Sequence, residues 1–170
     1  MDYTYALAAE WRICPLHEII IRPDGTRACG CGNPACEAIG KHPRMANWQI
    51  GARWDAEQLA YLEDEEGEFF GNQFLDGHGV VLQPSGLLVV DVDGRNGGFP
   101  SAKKLAHIRE QCGYIIQTGS QNGEHWYFKA PEGVDLRQTH QDYPGIDFKS
   151  TGFVVGAYSL HESGHRYHAF

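Results

Sequence analysis

The sequence predicts a mixed fold of the α/β or α+β class, in which helices pack on a mostly antiparallel β-sheet. Short runs rich in Val, Ile and aromatic residues end at Gly, Pro, Asn or Asp, which is typical of strands bounded by turns. The runs come in pairs, each of which predicts a hairpin: residues 79–83 with 86–93, 114–118 with 125–129, and 145–149 with 153–157. Segments of helical composition alternate with these pairs, which favours one sheet covered by helices.

Length and composition indicate one folded domain. The chain has 170 residues, of which 42% are hydrophobic and 12% aromatic, so the disordered class is excluded. No apolar run approaches the roughly 20 residues of a membrane-spanning helix. The N-terminus has acidic residues and no basic segment, so it is not typical of a secretory signal. We expect a cytoplasmic protein, in which five cysteines are metal ligands or free thiols rather than disulfides.

The net charge of −8 is concentrated in one segment. Residues 55–76 contain eight acidic residues and no Lys or Arg, whereas the rest of the chain carries fourteen residues of each sign. Part of this segment, from Asp55 to Glu66, is expected to form a solvated acidic helix. Because the charges of the remaining chain are balanced, the net charge does not exclude a nucleic-acid partner.

Two further helices are predicted outside the acidic segment. Residues 3–12 are rich in helix-forming residues. Ser101 is a candidate N-cap for a helix over residues 102–111, because a serine side chain can accept a hydrogen bond from a free N–H group at a helix start. Lys103 and Lys104 on that helix are expected to be ordinary surface residues.

Cysteine and histidine residues near the N-terminus have the spacing of metal ligands. Six candidates compete for the four positions of a tetrahedral site: Cys14, His17, Cys29, Cys31, Cys36 and His42. The last four fall within fourteen residues, and three thiolates with one imidazole suit a structural Zn²⁺ ion. We predict that these four bind zinc, with the first two as alternates. The alternative is a set of free thiols in a Gly-rich loop, and the isolated Cys112 is expected to be a small core residue.

The strongest functional signal lies in residues 86–98. Five apolar residues predict a strand that ends in Asp91 and Asp93 and is followed by a Gly-rich turn. Side chains alternate along a strand, so both carboxylates lie on one face. They repel each other unless a cation lies between them, and Mg²⁺ or Mn²⁺ prefers such oxygen ligands. The alternative is a solvated strand end with turn-forming aspartates.

Two later strand pairs contribute further polar residues. His125 begins a strand beside the Gly-rich turn 119–124, where a histidine is either functional or simply hydrogen-bonded. Asp147 precedes a strongly apolar strand and needs a charged partner. Lys149 lies two residues further on, and therefore on the same face of the strand.

The order of these motifs resembles the archaeo-eukaryotic primase superfamily. More narrowly, it is similar to the prim-pol domain of bifunctional DNA primase/polymerases of phages and plasmids. The matching stretches are Leu-Val-Val-Asp91-Val-Asp93, the run 118–128 around His125, and Gly145-Ile-Asp147-Phe-Lys149 followed by the apolar run to His161. The upstream cysteine-rich segment, through Gly-Lys-His-Pro to Trp48, is also similar. The resemblance covers about residues 14–168. Each stretch is weak alone, and their order is specific.

The resemblance implies a fold for the whole chain. Residues 1–170 would form one prim-pol domain. Its catalytic palm, over residues 79–168, would be an RNA-recognition-like palm with helices on a mostly antiparallel sheet. A small zinc-bearing part would precede the palm over residues 1–54.

The resemblance also implies a set of site residues. Three acids would bind two catalytic Mg²⁺ or Mn²⁺ ions: Asp91, Asp93 and Asp147. The nucleotide would be bound by His125, Lys149, Ser120, Ser159 and His161. The sequence departs from the family pattern in two places. The usual Ser-x-His is Gly123-Glu124-His125, so Ser120 would supply the missing hydroxyl, and the two prolines that usually precede the Ser-x-His at Ser159 are absent.

The expected function is that of a template-dependent nucleotidyltransferase, a DNA primase/DNA polymerase domain for replication of a phage, plasmid or other mobile element. The expected partners are a single-stranded DNA template, nucleoside triphosphates and a helicase domain or helicase protein, with no membrane. Two alternatives remain. One is a metal-dependent nuclease or phosphodiesterase, which could use the same carboxylates and histidine, and the other is a zinc-stabilised nucleic-acid-binding module without catalysis.

Overall fold

The computed structural model describes residues 4–52, 77–133, 136 and 139–170. The predicted acidic helix from Asp55 to Glu66 lies outside the described residues. In the described part of the chain, strands outnumber helices and the helices are short. No helix of this part has the length and apolar character that crossing a membrane requires.

The described elements follow one another in a simple order. The helices are α1 (Thr4–Ala8), α2 (Trp48–Gly51), α3 (Gly98–Lys104) and α4 (Ala106–Arg109). The strands are β1 (Ile13–Pro15), β2 (Ile19–Ile21), β3 (Arg27–Cys29), β4 (His78–Val81), β5 (Leu87–Asp93), β6 (Tyr114–Gln117), β7 (Gly123–Lys129), β8 (Ile146–Lys149), β9 (Phe153–Val155) and β10 (His168–Ala169). Short 3-10 turns, Gln83–Ser85 and Gly94–Asn96, lie on either side of β5.

A five-stranded sheet forms the centre of the fold. Its order is β10-β6-β7-β5-β8, and every pairing is antiparallel. β5, which carries the Asp-x-Asp motif, therefore has β7 on one side and β8 on the other. The mixed fold with an antiparallel sheet confirms the predicted fold class.

The two faces of β5 are buried against different layers. Leu87 and Val89 point into a core shared with a second sheet, whereas Val90 and Val92 pack with Trp126 beneath α3 and α4. A strand covered on both faces is apolar at nearly every position, as the sequence of β5 is. The alternation places Asp91 and Asp93 on the face of Leu87 and Val89, at the end of the strand.

The second sheet covers this face. It has three antiparallel strands in the order β1-β4-β9, and all four residues of β4 are buried. α1 packs beside it: Ala6 is fully buried, and the Tyr5 hydroxyl lies 2.8 Å from His78 Nε2. The strands β2 and β3 form a separate hairpin near the N-terminus.

Two of the three predicted hairpins are wrong. β6 and β7 do form a hairpin, but β4 and β5 belong to different sheets, and so do β8 and β9. The left-handed Gly86 (φ 63°) ends the 3-10 turn that leads from β4 to β5, and Gly152 (φ 76°) lies between β8 and β9. Because β4 is buried throughout, its sequence does not indicate which strand it pairs with.

The predicted helix boundaries also need correction. The N-terminal helix is shorter than residues 3–12 and ends at Ala8. Ser101 is not an N-cap, because α3 begins at Gly98 after the left-handed Gly97. Ser101 lies inside α3, is buried, and its hydroxyl donates to the Pro144 carbonyl at 2.7 Å. This hydrogen bond joins α3 to the segment that leads into β8.

Gly145 makes a close backbone contact at the start of β8. Its carbonyl accepts the Asp93 N–H at 2.8 Å, and its φ of 72° is in the left-handed region. A Cβ atom here would collide with the Gly98 nitrogen and lie 2.7 Å from the carbonyl oxygens of Asn96 and Asp93. Glycine therefore lets the end of β5 and the start of β8 approach each other.

We predict that Gly145→Ala destabilises the protein more than Gly152→Ala. Both glycines are left-handed, which costs an alanine about 1–2 kcal/mol, but nothing lies within 4 Å of a Cβ at Gly152. The crowding at Gly145 should add about 1–3 kcal/mol. Urea unfolding measures both losses. Equal losses would show that the close approach at Gly145 is unimportant.

Candidate functional site

The strand register brings three of the predicted site residues into one row. Asp91 in β5 lies directly opposite His125 in β7 on one side and Asp147 in β8 on the other. Paired residues in neighbouring strands point to the same face of a sheet. Asp93 lies two residues further along β5, opposite Gly123, and shares this face.

These residues line a cleft of about 370 Å³. Six of the predicted site residues are found there: Asp91, Asp93, Ser120, His125, Asp147 and His161. Nine further residues complete the lining: Lys41, Val92, Arg95, Asn96, Thr118, Asn122, Gly123, Gly145 and Tyr167. The lining is drawn from the N-terminal loop that carries Lys41, the strands β5, β7 and β8, and the C-terminal segment that carries His161 and Tyr167.

Lys149 does not line this cleft. Its ammonium lies 2.5 Å from Asp91 Oδ2 and 4.0 Å from Asp147 Oδ2. The prediction that Lys149 shares a face with Asp147 is confirmed by this geometry. The predicted contact of Lys149 with a nucleotide would require the ammonium to exchange at least one of these carboxylates for a phosphate.

The pKa values of the row follow from burial and charge. Burial is the largest influence on Asp91, but the charges of His125 and Lys149 outweigh it and lower the pKa of Asp91. Burial lowers the pKa of His125, and the Asp91 carboxylate opposes this shift. Burial raises the pKa of Asp147, and repulsion from Asp91 and Asp93 raises it further. The three carboxylates therefore form a crowded anionic group.

Asp93 also forms the turn that follows β5. Its Oδ1 accepts the Arg95 N–H at 3.0 Å, and both of its oxygens contact the Arg95 guanidinium at 3.2 Å. Asn96 Nδ2 donates to Asp93 Oδ2 at 2.8 Å. The turn-forming alternative for the Asp-x-Asp motif therefore holds for Asp93, although its carboxylate also lines the cleft.

The three acids fit a divalent metal ion chemically. They supply hard carboxylate oxygens, which Mg²⁺ and Mn²⁺ prefer. The Lys149 ammonium already places one positive charge beside Asp91 and Asp147, where a metal cation would compete for the same oxygens. The oxygens of the three acids do not converge as closely as the ligand atoms of the zinc-type cluster described below.

The turn between β6 and β7 packs against the C-terminal segment. A Cβ atom at Gly119 would collide with the side chain of His161, and Ser163 Oγ donates to the Gly119 carbonyl at 2.7 Å. Ser120 Oγ lies 2.9 Å from Thr118 Oγ1. This contact places Ser120 and His161 on the same side of the cleft.

Ser159, another residue predicted to contact the nucleotide, is not part of the cleft lining. Its side chain is fully buried. The hydroxyl accepts the His78 N–H at 3.1 Å and faces the His78 carbonyl at 3.4 Å. Ser159 therefore fixes the C-terminal segment to β4.

The N-terminal part holds a Cys₃His cluster that could bind zinc. The ligand atoms of Cys29, Cys31, Cys36 and His42 all lie within 4.8 Å of one another. Cys14, an alternate ligand, is not in this group, because it lies in the core, where burial raises the pKa of its thiol to about 12 and disfavours the thiolate. The other alternate, His17, packs its ring 4.5 Å from the ring of His42.

Comparison with protein families identifies the chain. Residues 3–170 match the family Prim-Pol, described as "Bifunctional DNA primase/polymerase, N-terminal". The chain belongs to this family. No curated protein is similar to the sequence. The Prim-Pol match covers the cleft and the cysteine cluster together, and it confirms the resemblance that the motif order indicates.

Several residues of the Prim-Pol cleft were not predicted as site residues. Arg95 and Asn96 follow the Asp-x-Asp motif, where their polar side chains in a Gly-rich turn were a usable signal. Asn122 lies in the turn that carries Ser120. Lys41 belongs to the Gly-Lys-His-Pro stretch that resembles the family, but its distance in sequence from the acidic motifs does not indicate the cleft. Tyr167 is also far from those motifs.

We predict that the purified domain contains about one equivalent of zinc per chain, held by the Cys₃His cluster. Elemental analysis of protein prepared without added metal measures it. Cys29→Ser should lose the zinc and lower the melting temperature. Cys112→Ser is the control, because the Cys112 thiol is half-buried and donates to the Tyr114 carbonyl instead. Equal zinc contents in the two variants would contradict the assignment.

Proposed function

We propose that this Prim-Pol domain is a template-dependent nucleotidyltransferase in which Asp91, Asp93 and Asp147 bind two divalent metal ions. The observation that carries the proposal is the row of Asp147, Asp91 and His125 across three neighbouring strands. A nucleotidyltransferase needs closely spaced carboxylates beside a place for the triphosphate, and these residues share one cleft.

The chemistry assigned to the metal ions is charge stabilisation. Two such ions, held by the three carboxylates, would supply positive charge to stabilise the attacking 3′-oxygen and the leaving pyrophosphate. Lys149 keeps Asp91 ionised and therefore ready to act as a ligand. His125, buried beside Asp91, can hydrogen-bond a phosphate oxygen, and Ser120 and His161 can do the same from the other side of the cleft.

The substrates and setting of the reaction are part of the same proposal. The domain would copy a single-stranded DNA template with nucleoside triphosphates, in the cytoplasm. It would serve replication of a phage, plasmid or other mobile element, together with a helicase domain or partner. Residues 1–54 would be the zinc-bearing part and residues 79–168 the palm.

An extension assay tests the function directly. Labelled primed and unprimed single strands are incubated with Mg²⁺ or Mn²⁺, and with deoxynucleotides or ribonucleotides. The proposal expects longer products that follow the template sequence. Strands shortened without added nucleotides would indicate the nuclease alternative, and DNA binding with no change in length would indicate the non-catalytic module.

We predict that Asp91→Asn and Asp147→Asn both abolish extension but change stability differently. Asp91 is paired with Lys149, so its loss should lower the free energy of unfolding by about 1–3 kcal/mol. The raised pKa of Asp147 means that its ionised form costs stability at neutral pH, so Asp147→Asn should leave stability unchanged or raise it without metal.

The control for both variants is Asp142→Asn. Asp142 is an acidic residue near the start of β8, is exposed, and lies outside the cleft. It should keep wild-type extension and stability. Near-wild-type extension by Asp147→Asn would remove Asp147 from the metal ligands.

We predict that His125→Ala lowers nucleotide incorporation by roughly 100-fold or more, the effect of losing one preorganised donor. Binding of single-stranded DNA without nucleotide should hardly change. Single-turnover extension and fluorescence anisotropy measure the two quantities. An equal fall in both would assign His125 to template binding or to folding.

A further inference from the structure

Lys41 reaches the catalytic cleft from a distant part of the sequence. It lines the cleft together with residues of β5, β7 and β8. Its ammonium lies 3.5 Å from Glu162 Oε1, and about one third of the side chain is exposed. The Lys41 charge also lowers the pKa of His161, which indicates that the ammonium lies near this imidazole.

The backbone around Lys41 is fixed on two sides. Lys41 directly precedes His42, whose ring belongs to the Cys₃His cluster. On the other side, the His17 N–H donates to the His42 carbonyl and the Arg44 N–H donates to the Pro15 carbonyl, each at 3.0 Å. Pro15 ends β1, which pairs with β4. The cluster and the sheet together determine where Lys41 projects.

The other described cations near the cleft are neutralised by its acids. The Lys149 ammonium contacts Asp91 at 2.5 Å, and the Arg95 guanidinium contacts both oxygens of Asp93. The partner of Lys41 is the half-exposed Glu162, at a longer distance. Such exposed ion pairs are weak. Lys41 can therefore exchange its carboxylate partner for another anion at little cost.

We infer that Lys41 binds the polyphosphate of the incoming nucleoside triphosphate, and that the zinc cluster positions it. The inference rests on the proposed function and assigns a nucleotide-binding role to the N-terminal part. The ammonium is a point charge suited to phosphate oxygens, and it lies on the side of the cleft that His161 and Ser120 share. Lys149 was predicted for this role, and its position among the carboxylates leaves the role to Lys41.

The competing explanation is that Lys41 has only a structural role. In that case its contact with Glu162 joins the loop from Cys29 to His42 to the C-terminal segment. The two explanations predict different results for Glu162→Gln. If Lys41 is a structural link, Glu162→Gln should have the same effect as Lys41→Met. If Lys41 binds phosphate, Glu162→Gln removes a competing anion and leaves triphosphate affinity unchanged or tighter.

The experiment measures two quantities on the zinc-loaded protein. The first is its affinity for a fluorescent dATP analogue in the presence of Mg²⁺ and single-stranded template. The second is the KM for dATP in the extension assay. Lys41→Met should weaken triphosphate binding and raise the KM by roughly tenfold or more, the effect of one lost charged hydrogen bond. The matching monophosphate should bind equally well to wild type and Lys41→Met. Lys129→Met is the control, because Lys129 is exposed at the far end of β7.

Zinc removal tests the positioning step. Cys36→Ser should lose zinc and weaken triphosphate binding about as much as Lys41→Met, whereas Lys41→Met should keep its zinc. Loss of zinc with unchanged triphosphate affinity would overturn the positioning role of the cluster.

Other results would overturn the role of Lys41 itself. These are wild-type triphosphate affinity in Lys41→Met, an equal loss of monophosphate affinity, or an equal weakening by Glu162→Gln. If the wild-type protein extends DNA while Lys41→Met keeps its KM, the inference fails and the proposed function stands. If the wild-type protein neither binds the triphosphate nor extends DNA, the proposed function is wrong and the inference falls with it.

Discussion

The contact between Lys149 and Asp91 is the interaction on which the cleft depends. The antiparallel register places Asp91 and Asp147 opposite each other, and partial burial would drive both towards protonation. The ammonium at 2.5 Å keeps Asp91 ionised, whereas Asp147, 4.0 Å away, keeps a raised pKa. The Lys149 ammonium is thus a permanent positive group beside Asp91 and Asp147. A divalent ion at these oxygens would have to compete with that cation.

The backbone beneath the row is as constrained as its charges. Asp93 ends β5, and its N–H is bonded to Gly145 at the start of β8, so the two acidic strands meet at a contact that has no room for a Cβ atom. On the other side, Gly123 lies opposite Asp93 in β7, and a Cβ atom there would collide with the Val92 carbonyl. Glycines therefore let three strand ends converge. The glycines that precede His125 and Asp147 by two residues therefore have a steric role at this position.

Strand periodicity explains which parts of the site could be predicted from sequence. Alternation placed Asp91 with Asp93, and Asp147 with Lys149, on shared faces, and ligand chemistry with short spacing identified the cysteine cluster. Strand pairing could not be obtained in this way, because β4 and β5 are apolar on both faces and so do not indicate their partners. The contacts of the Lys149 ammonium and the approach of Lys41 to the cleft depend on long-range packing, which periodicity and residue spacing do not reveal.

N-terminal residues share one core with the strands that follow them, which links the cysteine cluster to the cleft. β1 pairs with β4 in the same sheet as β9, and the Tyr5 hydroxyl accepts the Ala157 N–H at 3.0 Å. Beyond the cluster, Arg27 in β3 donates to the Glu162 carbonyl, and Lys41 contacts the Glu162 carboxylate. The loop that could hold zinc is therefore joined to the C-terminal segment that carries His161. A metal held by both Cys29 and His42, which are 13 residues apart in sequence, would fix the two ends of the loop between them. Loss of that metal would let the loop and Lys41 shift at one wall of the cleft, while the acidic residues on the central sheet stay in place.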